Sequence, residues 1–302
     1  MARKVRRILV AVREPEKASA SLLHKSAALG SAFGARIELV HVISEPQREP
    51  VADAERRLRR FERSSALAGC RVQSSVLVDR PVHEAIIRRA LASGADLVVA
   101  GPETRGRARR WFLRNTDWEL IRHCPCPLLL AKSGRVREHP VILASLDPFH
   151  VHAKPAHLDE ELLSAGQSLA ERLGGTLHAL HAYMPPVATV EGPLGQPLMW
   201  QSPELEQLHT AQVRRAFDRL CDRAKLPPSR RHLLMGDLAS QLRATIARAH
   251  VAVVVMGAVS RSAIRQALIG SSAERVLDQI PCDVLIVKPR GFRTQVRRRP
   301  TR

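Results

Sequence analysis

The chain has 302 residues, 45% of them hydrophobic and only 3% aromatic, and a formal net charge of +19. Length and apolar content suit a packed core and two domains of ordinary size, while the scarcity of aromatics weighs against base-stacking platforms. No apolar run approaches the roughly 20 residues of a membrane-spanning helix. Five cysteines, an odd number, fit a reduced, cytoplasmic protein better than a disulfide framework.

From the N-terminus, the apolar run before Arg13 is only five residues long, too short for a signal peptide; it reads as a first strand. Strands are expected near Arg6–Val12, Arg36–Ile43, Arg71–Val78, Asp96–Ala100 and Pro127–Lys132. Between them, stretches such as LLHKSAALGSAF and HEAIIRRALAS place apolar residues at three- and four-residue spacing, the helical period. After the fourth strand comes a basic loop holding Arg105, Arg107, Arg109, Arg110 and Arg114 beside Trp111 and Phe112. It reads either as a solvated loop or as an anion-binding or partner-binding surface, in which Arg105, Arg109, Arg110 and Arg114 would make bidentate phosphate contacts. Cys124 and Cys126 form C-P-C, without metal-site or redox-motif spacing.

The same pattern then returns. Gly101 and Gly257 lie 156 positions apart, as do Cys126 and Cys282; His41 pairs with His181 at a separation of 140, and Ile8 with Ile142 at 134. The smaller early offsets place two insertions in the second copy. One, after its first strand, carries His150, His152 and His157; the other, rich in proline and glycine around Met199 and Trp200, is expected to run over the rim as a loop or lid. Each copy reads β-α-β-α-β-α-β-α-β. Strands as continuously apolar as VAVVV indicate burial on both faces. The fold class is therefore α/β: two tandem, doubly wound, parallel five-stranded sheets with helices on both faces. The domains are assigned to residues 1–134 and 135–290, followed by a disordered basic tail, 291–302. Ligands in such sheets bind beyond the carboxyl ends of the strands, which places Asp147 and Gly257 on one rim.

In the second copy, Gly257 ends the fourth strand, Ser260 follows, and Gly270-Ser271-Ser272 opens a helix. A helix start offers free N–H groups and a favourable dipole to an anion. The same residues also contain S-x-x-E, a capping box needing no ligand, and Thr116-Asp117-Trp118-Glu119 repeats that device in the first copy. This arrangement, with PCDVLIVK as last strand, resembles the universal stress protein family, most closely its tandem two-domain (UspE-like) members. The likeness covers nearly the whole chain.

The resemblance implies a nucleotide-binding fold like that of the adenine nucleotide alpha hydrolases, with ATP across the strand ends. Carried over by position, Asp147 would meet the nucleoside. Ala182, Met256 and Gly257 would line the strand ends, and Ser260, Gly270, Ser271 and Ser272 would hold phosphate, with Mg²⁺ accompanying it. Ser260 departs from the family's usual glycine. The first copy departs further: Arg13 stands for the acid, Thr104 for the second glycine, and Arg114-Asn115-Thr116 for Gly-Ser-Ser, so that site is read as degenerate. The resemblance also implies pairing of the two last strands within one chain, an intramolecular pseudo-dimer, with room for a homodimer of such pseudo-dimers.

The function expected is a cytoplasmic stress-response module that binds ATP in its second domain and hydrolyses it slowly at most, since no nucleophile and general base stand beside the motif. The alternative is an interaction or ligand-sensing protein binding another phosphorylated or apolar molecule, or no nucleotide. Nucleic acid is not read as the main partner.

Overall fold

The computed structural model describes residues 4–14, 20–45, 50–101, 103–105, 110–113, 115–132, 137–148, 157–185, 188–191, 197–200, 202–257, 276–277 and 279–297. The front half contributes β1 (Arg7–Ala11), β2 (Arg36–Ile43), β3 (Arg71–Val78), β4 (Leu97–Ala100), a small hairpin of β5 (Glu103–Arg105) and β6 (Arg110–Phe112), and β7 (Leu128–Leu130). The rear half contributes β8 (Val141–Ser145), β9 (Thr176–Tyr183), a second hairpin of β10 (Ala188–Glu191) and β11 (Pro197–Trp200), then β12 (Arg231–Met235), β13 (Val251–Gly257) and β14 (Asp283–Val287). The insertion expected as a loop or lid contains a hairpin, and so does the arginine-rich loop.

The ten long-range strands form one sheet, in the order β12-β9-β8-β13-β14-β7-β4-β1-β2-β3. All neighbours are parallel except β14 and β7, which run antiparallel with Val284 opposite Leu130 and Ile286 opposite Leu128. Two sheets expected from the repeat are therefore continuous across a seam. The physical reason is that both last strands are buried apolar segments whose unpaired edges would otherwise be exposed.

Strand side chains alternate between faces, and the core divides accordingly. Val10, Val255 and Leu285 belong to one apolar cluster; Leu9, Val254 and Ile286 belong to the other. The first is covered by α1 (Ala20–Phe33), α2 (Val51–Glu62), α5 (Leu158–Arg172) and α6 (Pro203–Arg223). The second is covered by α3 (Val82–Ser93), α4 (Asn115–His123) and α7 (Leu238–Arg248). Each fully buried aliphatic side chain contributes roughly 1.5–3 kcal/mol. Helix ends follow local rules: Ser202 caps α6 by accepting from the Leu205 N–H, with Pro203 next in line, and Asp237 caps α7.

The seam also buries charge. Lys25 on α1 donates to both carboxylate oxygens of Asp283, at 2.5 Å each, and the Lys132 N–H donates to Asp283 Oδ1 at 2.8 Å. Desolvation pushes the Lys25 pKa below its ordinary value against the pull of Asp283. Beside this pair a cavity of about 590 Å³ opens between the halves, with Leu29, Leu129, Leu169 and Val253 in its wall. The segment expected as a disordered tail is placed as far as residue 297. Val296 packs against the second cluster and the Phe292 ring lies 4.6 Å from Lys288 Nζ, so apolar contacts and a cation–π contact hold it. Residues 298–302 lie outside the described residues.

Candidate functional site

Both halves make a crevice where their strand order reverses. In the rear half, β8 connects through α5 to β9 on one side, while β13 lies on the other. A ligand site is expected between the carboxyl ends of those two strands. Asp147 follows β8, and Met256 and Gly257 end β13. The half-buried Asp147 is anchored through its N–H, which donates to Asp159 Oδ1 at 3.2 Å in the first turn of α5. His181 on β9 is buried and its Nδ1 donates to the Leu146 carbonyl at 3.0 Å. Ala182, next on β9, points to the opposite face.

Of the eight residues assigned to nucleotide, Asp147, Ala182, Met256 and Gly257 therefore gather at the ends of three adjacent strands. Ser260, Gly270, Ser271 and Ser272 lie outside the described residues. Gly257 has a packing role as well: a Cβ there would come within 2.7 Å of Leu158 Cδ2, so the missing side chain makes room for the start of α5.

The front crevice lies between β1 and β4 and opens into a cavity of about 400 Å³. Its framework repeats the rear one, for His41 Nδ1 donates to the Val12 carbonyl at 2.9 Å. This shared buried histidine was visible in the sequence only as a repeat position, without a role. Arg13 takes the place of Asp147, and its Nη2 donates to Asp117 Oδ1 at 2.7 Å. Asp117 sits in the first turn of α4 and is fully buried. A carboxylate at a helix start is stabilised by the dipole and the free N–H groups.

The capping box read over Thr116 to Glu119 does not form. Helix α4 already includes Asn115 and Thr116, and Glu119 instead bonds Arg122 at 2.7 Å and His123 at 3.3 Å. Among the arginines proposed for anions, Arg105 and Arg110 stand opposite each other in the β5–β6 hairpin, while Arg109 and Arg114 lie outside the described residues. Among the described residues, the arginine in the cavity wall is Arg13. Sequence reasoning treated it only as a lost acid, because Asp117, its partner, is 104 positions away.

Away from the crevices, His178 on β9 and His232 on β12 stack with ring centroids 5.3 Å apart, and Nδ1 of the first lies 3.0 Å from Nε2 of the second. Burial, with the cations of His232 and Arg230 nearby, brings the His178 pKa down to about 4. His157 pairs with Glu160 at 3.0 Å; His150 and His152 lie outside the described residues. Among the described residues no helix is long and apolar enough to cross a membrane.

The profile of the universal stress protein family matches residues 4–132 and again residues 157–288. The chain belongs to the universal stress protein family. Among its relatives, universal stress protein E of Escherichia coli K12 is 30% identical over 239 residues, covering 76% of this chain and 72% of that protein. The universal stress protein E homolog of Haemophilus influenzae is 24% identical, over 72% of this chain and 70% of its own. The fold is shared with a functionally unknown protein of Pseudomonas aeruginosa PAO1, at 24% identity and a TM-score of 0.76, covering 94% of this chain and 93% of that one. A universal stress protein of Archaeoglobus fulgidus aligns at 14% identity and a TM-score of 0.61, over 93% of this chain and 98% of its own. Among the described residues, the two strand-end crevices of this universal stress protein differ after the first strand of each half, where the front has Arg13 and the rear Asp147.

Proposed function

We propose that this stress-response protein binds ATP in its rear domain, across the ends of β8 and β13, and acts by binding more than by turnover. The observation that carries this is the position of Asp147, just past the end of β8, near the end of the neighbouring β13 at Met256 and Gly257, at the point where the strand order reverses, the place where α/β sheets take nucleotides. A half-buried carboxylate held there can accept from the ribose hydroxyls, and the chemistry of Gly270, Ser271 and Ser272 suits phosphate at a helix start. Bound Mg²⁺ would neutralise phosphate charge. Titration calorimetry of the full chain with Mg²⁺–ATP tests the proposal. Binding that Gly270→Arg abolishes and Asp147→Ala weakens is the expected result; no heat at millimolar ATP overturns it.

A further inference from the structure

We propose that a cavity at the seam, walled by both halves and by the segment after β14, is a binding site for an uncharged, mostly apolar small molecule. This inference does not rest on nucleotide binding by the rear domain. The cavity is distinct from both strand-end crevices: its described wall shares no residue with the front one and includes none of Asp147, Met256 and Gly257.

Helices α1 and α5 stand on either side of the seam strands, and the cavity of about 350 Å³ opens between them, a volume in the small-ligand range. Leu29 and Phe33 of α1, Leu169 of α5, Leu129 of β7 and Leu285 of β14 give it apolar walls, and the segment Pro289–Phe292 closes a further side. That segment is held in a turn, in which the Phe292 N–H donates to the Pro289 carbonyl at 3.1 Å and Gly291 takes the positive φ, 79°, that glycine tolerates. Sheet, two helices and turn together bound a pocket for a small guest, not a face for another chain. The chain's own last residues, RRRPTR, are basic and do not suit an apolar cavity.

The charged groups described in the wall are all engaged. Asp96 accepts from the N–H groups of Arg6 at 2.9 Å and Arg7 at 3.1 Å, Glu161 pairs with Arg290, and Lys288 donates to the carbonyls of Ile121 and Arg122. An ionic guest would therefore lose water without gaining a free counter-charge. Ser164 and Ser168, one turn apart on α5, line the cavity too, and among the described residues neither hydroxyl has a partner. They offer a hydrogen bond to one polar group on an otherwise apolar molecule.

The repeat supplies an internal contrast. The cavity beside Lys25 and Asp283 also contains Leu29, Leu129 and Leu169, so the two are opposite ends of one cleft. By the offsets of 140 and 156, Lys25 corresponds to Ala165 and Asp283 to Pro127. Both of those small, neutral residues line the pocket under Phe292. Where one end of the cleft carries a buried ion pair, the other leaves apolar space.

N-phenyl-1-naphthylamine, uncharged and fluorescent in apolar surroundings, is the probe, and its amine can donate to a serine. Its sulfonated analogue, 8-anilinonaphthalene-1-sulfonate, adds a negative charge to nearly the same body. Both are titrated into the full chain at ~0.3 M salt, which screens the basic surface. The uncharged probe is expected to saturate one site, to bind at least tenfold more tightly than the sulfonate, and to raise the melting temperature in a single transition, because it touches both halves. Ala165→Leu fills the pocket and should weaken the uncharged probe at least tenfold. A thermal melt identifies a variant that fails to fold, and Ser168→Leu is the second way to fill the same space. No saturable binding, a sulfonate bound as tightly, or unchanged affinity in a folded filling variant would overturn the proposal.

Discussion

Lys132 and Lys288 follow the two seam strands, 156 positions apart, and each reaches across to the opposite half. Lys132 Nζ donates to the carbonyls of Leu277 and, at 3.4 Å, Ile280 in the helical turn before β14. Lys288 Nζ donates to the carbonyls of Ile121 at 2.5 Å and Arg122 at 2.8 Å, at the end of α4. Leu277 and Ile121 are themselves 156 positions apart. A helix's last carbonyls have no partner within it and carry the negative end of the dipole, so each half supplies the cation that closes the other's helix. Lys132→Met should cost about 2–3 kcal/mol, the scale for lost charge-assisted hydrogen bonds, measured by urea unfolding. A change under ~0.5 kcal/mol would contradict the closing role.

Lys288 should also give the seam a pH signature. Burial lowers its pKa to about 8, below the 10.5 of an exposed lysine. Between those values the unfolded chain holds a proton that the folded chain has released, so stability rises with pH. The penalty for burying the charge is fully present below pH 8 and fades as pH climbs toward 10.5. Subtracting the stability profile of Lys288→Met from that of the parent should isolate this rise; identical slopes in the two proteins would refute it.

The His178–His232 stack acts in the acid range. With the His178 pKa at about 4 in the fold and near 6.5 when unfolded, the unfolded state binds the extra proton between those values. Stability supplied by keeping the ring neutral is present above pH 6.5 and is lost as pH falls toward 4. An NMR titration should show the His178 ring resonances unmoved at pH 5.5; a midpoint near 6.5 would count against the burial.

Asp283 accepts from Lys25 Nζ and from the Lys132 N–H. Asp283→Ala strands a buried ammonium and should cost about 3–5 kcal/mol. Lys25→Met combined with Asp283→Leu should cost less than the single aspartate change, because no charge is left unpaired. Additive losses in that cycle would mean the two groups act independently.

Since β7 and β14 pair directly, the halves should melt together. Leu130→Pro removes a ladder donor at the seam and should lower the melting temperature of the whole chain in one transition. Two separated calorimetric transitions in the parent protein would show that the seam does not couple them.

Much of the fold could be read locally. β2 and β3 fall where the apolar patterning sets them, Arg36–Ile43 and Arg71–Val78, because a strand's period is a property of consecutive residues. The capping box at Thr116 misled, since whether Glu119 turns back or pairs with Arg122 depends on rotamers and neighbours, not on spacing. The hairpins β5–β6 and β10–β11 were missed because glycine, proline and arginine hide their short alternation.

By itself the sequence determined that one α/β unit occurs twice, where its strands lie, and that Asp147 and Arg13 occupy the same place in the two copies. Only the tertiary structure decided the antiparallel register in which the two sheets join, that Lys25 meets Asp283 across 258 positions, and that Arg13 holds Asp117. Periodicity and repeats are recorded in neighbouring residues. An ion pair depends on the path the chain takes between its members, and that path is set by how the two layers of helices pack on the sheet.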